Sequence, residues 1–309
     1  MTEVAPLQVV LVILPVFLLI FVGYVTRVSG FLDRGFWDPA ERLIFFVLFP
    51  ALLIVATAEA DLGGLDIPGM AATLPACIVA IAIVTRLLRP VIGLDGPGFT
   101  SVFQGVVRQN TYIGLALAGG LFGAAGLAAA GLALAVVIPV INLLSILALA
   151  RYGSAAQPTL RGTLGLLLRN PLILACAFGI ALNATGVGLP PVAGDLLRLL
   201  SKAALPLGLL AVGAGLEFAI ARASLRPVAL AAGLRLVALP ALTVLACKLV
   251  GVVGVSAAVA VLFNSTPSAP NAYILARLLG GDARLMAGIL TVETALAMVT
   301  LPLVLVLAF

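Results

Sequence analysis

Histidine is absent from the 309 residues, and only 9% of them carry charge, against roughly 25% in a soluble domain. Those two shortages remove most catalytic readings. Without imidazole there is no Ser/His pair and no His-based zinc motif, and paired carboxylates at depth are missing as well. Cysteine is scarce too: Cys77, Cys176 and Cys247 each fall inside an apolar run with no pairing pattern, so each reads as a small buried hydrophobe, with no disulfide or metal site expected. No Walker-type phosphate loop occurs, which excludes an ATP-driven pump in one chain. No cofactor motif is present and none is expected. The longest polar loops run to about a dozen residues, too short for a water-soluble domain.

What fills the chain instead is apolar, 63% of it. A bilayer core about 30 Å thick needs about 20 such residues per helix. Spans of that kind fall near 7–27, 40–58, 68–88, 99–121, 126–149, 165–185, 196–216, 227–249, 255–278 and 285–308, which makes ten. The first is too long, and its start too poor in basic residues, for a cleaved signal peptide, so it is expected to stay as a helix. The expectation is an all-α, multi-pass membrane protein.

The ten spans read as two copies of five. A shift of 156 positions superposes Pro15 on Pro171, Gly23 on Gly179, Arg42 on Arg198, Pro50 on Pro206 and Asp61 on Glu217. Slightly larger shifts bring Pro68 onto Pro227, Asn110 and Tyr112 onto Asn271 and Tyr273, and Pro139 onto Pro302. Because each copy holds an odd number of spans, the second enters the membrane from the opposite side, so the repeat is inverted. The division is a first repeat over 1–150, a cytoplasmic link over 151–162 and a second repeat over 163–309.

Loop charges set the orientation. With the N-terminus outside, the inner loops hold Arg27, Arg34, Arg42, Arg86, Arg89, Arg151, Arg161, Arg169, Arg222, Arg226, Arg277 and Arg284, twelve of the seventeen basic residues. The net charge of +5 therefore reports topology and not nucleic-acid binding. Both termini are expected outside the cytoplasmic (inner) membrane.

Two polar runs interrupt spans where such residues should be excluded: Gln109-Asn110-Thr111-Tyr112, and Asn264 through Tyr273 with Pro267 and Pro270. Proline removes a donor and frees carbonyls, while an amide can donate to a freed group and accept from a solute. Broken helices at membrane depth survive only around protein or a water-filled cavity, and transporters bind solutes there. Half-helix N-termini facing such a point favour an anion. The candidate binding residues are Arg108, Gln109, Asn110, Thr111, Tyr112, Ser268, Asn271 and Tyr273.

Ionisable residues inside spans form a second group: Arg108, Lys202, Arg235 and Glu293. Such residues are functional by default. Counting 1.5 Å per residue, Arg108, Arg235 and Glu293 share one depth, roughly 12 to 14 Å from the cytoplasmic helix ends. Glu293, Arg235 and Lys202 are candidates for coupling or charge compensation, with Glu293 pairing Arg108 or Arg235 and a remaining cation offsetting half-helix carbonyl ends. Lys202 lies nearer the outer face, where snorkelling explains it equally well.

The ten spans, Asn-Thr-Tyr-Ile-Gly at 110–114, Pro-Ser-Ala-Pro-Asn at 267–271 and Arg-Asn-Pro at 169–171 resemble the auxin efflux carrier family over the whole chain. Its bacterial members are permeases for malate, malonate and similar organic anions, and its plant PIN branch exports the carboxylate auxin. The resemblance implies a fold shared with bile-acid and sodium/proton transporters, in which broken fourth and ninth helices cross near the midplane. It implies a scaffold of the first, second, sixth and seventh spans that dimerises, and a transport domain of the other six. Asn110 and Asn271 match the asparagines that contact substrate at the crossing, and Pro267 and Pro270 match its prolines. The fourth span departs from the family pattern, with Arg108 and Gln109 where a proline is expected.

The reading is a secondary transporter, not an enzyme, for a small organic anion such as a mono- or dicarboxylate. Its partners are that anion, membrane lipid and a second copy of the chain. Coupling by protons through Glu293 is the sharper form of this reading, and a passive anion channel or an intramembrane enzyme are its alternatives. On the topology, reporter fusions after Ala155 are expected to read cytoplasmic and fusions at Phe309 periplasmic. A cytoplasmic C-terminus overturns both the orientation and the inverted repeat.

Overall fold

The computed structural model describes residues 6–61, 64–154, 169–218 and 225–308. Most of the link expected at 151–162, with Arg161, Arg222 and Phe309, lies outside the described residues. Every element among the described residues is helical. The chain runs α1 (Pro6–Val28), α2 (Arg34–Leu43), α3 (Phe49–Ala58), α4 (Ile67–Leu87), α5 (Arg89–Ile92), α6 (Gly96–Val107) and α7 (Thr111–Tyr152). It continues with α8 (Pro171–Thr185), α9 (Pro191–Ala214), α10 (Leu225–Gly233), α11 (Leu239–Val250), α12 (Gly254–Ser265), α13 (Asn271–Leu279) and α14 (Ala283–Ala308). Single π turns, Ile44–Leu48 and Leu234–Ala238, join α2 to α3 and α10 to α11.

Local chemistry explains most boundaries. Asp66, Asp95 and Asn170 cap α4, α6 and α8, each accepting from a backbone N–H two or three residues on, with a proline in the first two helical positions. Gly93, Gly186, Gly251 and Gly280 close helices in the left-handed conformation.

Among the described residues, seven helical runs are long and apolar enough to cross a membrane: Leu7–Val28, Gly35–Ala58, Ile67–Leu87, Gly96–Tyr152, Pro191–Ala214, Leu225–Val250 and Ala283–Ala308. Shorter apolar helices are Pro171–Thr185 and Gly254–Ser265. The run Gly96–Tyr152 has 57 residues, about 86 Å if straight, more than twice a hydrocarbon core of about 30 Å. It does not run straight. It is interrupted at 108–110, and again inside α7 at Gly123, whose φ of 58° and ψ of −140° suit only glycine. After that turn the chain doubles back, so that Gly126 lies directly against the Ala118 carbonyl and Gly119 against Leu127.

Two helix pairs pack backbone to backbone. A methyl group at Gly23 of α1 would run into the Leu210 carbonyl of α9, and one at Gly179 of α8 would lie 2.8 Å from the Ile54 carbonyl of α3 and collide with Thr57 Oγ1. At the far ends, Arg27 Nη2 donates to the Leu216 carbonyl at 2.5 Å, and Asn183 Nδ2 donates to the Ala60 carbonyl at 2.9 Å. Small residues at such crossings let membrane helices approach closely.

Gly23→Leu and Gly179→Leu are each expected to cost about 1–3 kcal/mol by overpacking. The loss is read as a lower melting temperature of the purified protein. Gly233→Ala, at an exposed helical position with open space around it, is the control expected to be neutral or slightly stabilising.

Candidate functional site

The interruptions at 108–110 and 266–270 lie against each other: the Asn110 N–H donates to the Pro267 carbonyl at 2.9 Å. The first break forms without proline. Arg108 adopts φ −88°, ψ 124°, ending α6, and Asn110 starts α7 as its cap, with Oδ1 accepting from the N–H groups of Tyr112 and Ile113 at 3.1 Å. An asparagine cap stabilises a new helix start as directly as a proline destabilises the old one. The second break runs from Thr266, with φ −67° and ψ 151°, to Pro270, and α13 begins at Asn271.

Breaking two helices in an apolar interior frees carbonyls that must be satisfied. One side chain does most of this. Arg235, fully buried in the π turn between α10 and α11, donates from Nε to the Thr266 carbonyl at 2.7 Å and from Nη1 to the Val106 carbonyl at 3.2 Å. Its Nη2 donates to the Phe263 carbonyl at 3.3 Å and to Thr266 Oγ1 at 3.2 Å. A single cation thus holds the carbonyl ends of both α6 and α12, where the helix dipole is negative.

Glu293 of α14 serves the donor side of the same break. Its Oε2 accepts from the Ser268 N–H at 2.8 Å, while its Oε1 has no partner and faces Gly105, where a Cβ would sit 3.5 Å away. The sequence expectation of an ion pair with Arg108 or Arg235 is not met: neither guanidinium comes within salt-bridge distance of it. Both arginines have found neutral acceptors instead.

Arg108, 2% exposed, is held by amides and a hydroxyl. Its Nε donates to Asn271 Oδ1 at 3.3 Å, and its Nη1 to Asn142 Oδ1 at 3.1 Å and to Ser145 Oγ at 3.2 Å. Its Nη2 donates to none of the described residues. Gln109 starts a separate relay, from Nε2 to Asn264 Oδ1 at 2.6 Å and from Asn264 Nδ2 to Thr243 Oγ1 at 2.8 Å. Several fully buried polar atoms keep free valences here: both amide atoms of Gln104, Gln109 Oε1, Ser268 Oγ and Glu293 Oε1. In a low-dielectric interior such groups are costly unless a solute or water engages them.

The other expected residues fall differently. Asn110 spends its side chain on the cap and on a 3.5 Å bond to the Ser268 carbonyl, whereas Asn271 is exposed and turns toward Arg108. Tyr112 stacks on Phe49 of α3 at 4.5 Å between ring centroids. Tyr273, half-buried, lies beneath the Arg277 guanidinium, and Thr111 is half-buried at the start of α7. Lys202 is exposed on α9 and forms no hydrogen bond or ion pair with the buried cluster. Gln104, Asn142, Ser145 and Thr243 belong to the site and escaped sequence reading. Their signal was available in the four-residue spacing of Gln104 and Arg108, and in lone amides within apolar helices.

A family described as membrane transport protein matches residues 8–305. The chain belongs to this family, that of the auxin efflux carriers, and is a multi-pass membrane protein. It is also similar to an uncharacterized transporter of Methanothermobacter thermautotrophicus, with 27% identity over 313 residues covering 94% of this chain and 95% of that one.

Removing the shared cation should separate architecture from binding. Arg235→Leu leaves the Val106 and Thr266 carbonyls without their donor and is expected to cost at least about 2 kcal/mol, seen as loss of monodisperse, folded protein. Arg108→Gln, whose partners are side chains and not helix ends, is expected to fold.

Proposed function

We propose that this protein is a secondary active transporter that moves a small organic anion, a mono- or dicarboxylate, across the cytoplasmic membrane by alternating access. The observation that carries the proposal is Arg108: a buried guanidinium at the meeting point of two broken helices, with no carboxylate partner among the described residues and one terminal nitrogen that none of them engages. The three buried charges, Arg108, Arg235 and Glu293, sum to one positive charge, and the helix starts at α7 and α13 add to it. A carboxylate balances that excess.

In this reading the chain is a ten-helix inverted repeat, with α6 plus the part of α7 before Gly123 as its fourth helix, the rest of α7 as its fifth, and α12–α13 as the ninth, which crosses the fourth. Support comes from the paired contacts of the fold. Gly23 on Leu210 and Gly179 on Ile54 are related by the shift of 156, as are Arg27 on Leu216 and Asn183 on Ala60. The helices making these contacts, α1, α2–α3, α8 and α9, form the scaffold, and the remainder moves as the transport domain. Tyr112 against Phe49 lies on the sliding surface between them.

Arg108 and Asn271 bind the substrate carboxylate, with Asn142 and Ser145 releasing the guanidinium as the anion engages it. Glu293 is the group that exchanges a proton, since among the described residues it is the sole buried carboxylate and no histidine exists in the chain. Its free Oε1 is the atom that takes the proton, while Oε2 keeps the Ser268 N–H.

Counterflow in proteoliposomes with a panel of mono- and dicarboxylates tests the proposal: a carrier shows saturable counterflow, a channel shows none. Arg108→Gln and Asn271→Ala are each expected to lower exchange at least about tenfold, the equivalent of about 1.4 kcal/mol, while leaving folded protein in the membrane. Glu293→Gln is expected to keep exchange and lose accumulation driven by a pH gradient. Unaltered pH-driven accumulation in that variant assigns Glu293 a purely structural role and removes proton coupling.

A further inference from the structure

A second cationic site lies at the other end of α6 from the breaks, about 18 Å along the helix axis. Arg86, at the end of α4, and Arg89, at the start of α5, line an open cleft of about 610 Å³ together with Leu87, Leu94 and Tyr152. The arginines are positioned, not free to wander. The Arg89 guanidinium lies 4.3 Å from the Tyr152 ring centroid and 5.6 Å from that of Phe99, and those two rings meet edge to face at 5.2 Å. Arg86 Nη1 donates to the Tyr152 hydroxyl, and its guanidinium sits 5.7 Å from the same ring. Cation–π contact orients a guanidinium without consuming its in-plane donors.

Among the described residues neither arginine has a carboxylate partner. The nearest acidic residue along the chain, Asp95, is engaged as the cap of α6, accepting from the Gly98 N–H at 2.9 Å. Arg89 Nε is buried with no acceptor among the described residues. Two planar donor forks converging on an open cleft, with a buried N–H unmatched, suit a phosphate, which accepts from arginine in bidentate fashion.

The cleft's surroundings decide what carries that phosphate. Val79, Ile83 and Leu87 follow one another at four-residue spacing down one face of α4, with exposures of 38%, 55% and 72% that rise toward the cleft. Val91, just beyond, is 80% exposed. In a membrane-spanning helix this stripe faces hydrocarbon and leads straight to the two guanidiniums, a cation at the head of an acyl track. A soluble phosphate has no use for the stripe.

We propose that Arg86, Arg89 and Tyr152 form a binding site for the phosphate headgroup of an anionic phospholipid, whose acyl chain lies along Val79, Ile83 and Leu87. The site touches the moving parts of the protein. Gly96, which opens α6, abuts the carbonyl of Tyr152, so a lipid seated there braces the foot of the helix that leads to Arg108. This inference needs only the membrane location of the chain and stands apart from the choice of substrate.

The full-length protein in detergent, titrated with phosphatidylglycerol or phosphatidylcholine and followed by native mass spectrometry, tests it. Phosphatidylglycerol is expected to be retained more tightly than phosphatidylcholine. Arg86→Gln and Arg89→Gln should each weaken its retention about fivefold, as about 1 kcal/mol per arginine near a membrane surface implies. Arg89→Lys, which keeps the charge and loses the planar fork, should hold the lipid less tightly than the unaltered chain and more tightly than Arg89→Gln, and Arg284→Gln, exposed on α14 and outside the cleft, should change nothing. Equal retention of the two lipids, or an Arg86→Gln/Arg89→Gln double variant that holds phosphatidylglycerol as well as the unaltered chain, overturns the proposal. So does full displacement of the lipid by millimolar inorganic phosphate, which would make the occupant a soluble anion. Should the double variant fail to fold, the comparison of the two lipids on the unaltered chain decides alone.

Discussion

The Arg235 guanidinium, fixed on the carbonyls of Val106, Phe263 and Thr266, is the interaction on which the centre of this protein depends. A helix that stops inside hydrocarbon leaves acceptors that water cannot reach, each costing several kcal/mol if unpaired. Here two helices stop at the same place, and one cation with five donors meets both ends. Lysine lacks the planar fork needed to reach three carbonyls on two helices. The residue sits in a π turn, Leu234–Ala238, and such turns commonly mark positions where a helix is re-registered to aim a functional side chain.

With the carbonyl ends satisfied, the remaining charges are available for other work. Glu293 takes one N–H of the second break and keeps one oxygen free, and Arg108 leans on Asn271, Asn142 and Ser145. Neutral acceptors hold a guanidinium in place without cancelling its charge, whereas a carboxylate at salt-bridge distance would. The arrangement preserves an electrostatic excess at depth. A second carboxylate there is unnecessary if the anion that completes the balance is the cargo.

Positions aligned by the shift of 156 share close helix packing, whereas the aligned polar positions differ in their chemistry. Gly23 and Gly179 bring their helices against carbonyls in the same way, yet Asn110 and Asn271, also aligned between the halves, do different things. One is buried in a cap and the other is exposed beside Arg108. The buried charges Arg108, Arg235 and Glu293 have no charged counterparts in the other half. Close packing constrains both helix crossings alike, while the buried polar cluster draws on each aligned position differently.

Apolar spacing and polar interruptions determined from sequence that the chain is helical, crosses the membrane many times and is interrupted near 108–112 and 264–273. Those features are local in sequence: hydrophobic length sets a span, and a buried amide or proline is expensive wherever the span ends up. The break at Arg108 was less legible, because it is made by an asparagine cap and not by proline. Tertiary structure alone decided the partners. That Arg235 serves carbonyls about 30 and 130 residues away, that Glu293 meets a backbone N–H and not an arginine, and that Asn142 and Ser145 join Arg108 all depend on which helix faces lie together. Hydrogen bonds are set by distances of a few ångströms between elements far apart in the chain, and composition and periodicity carry no information on that scale.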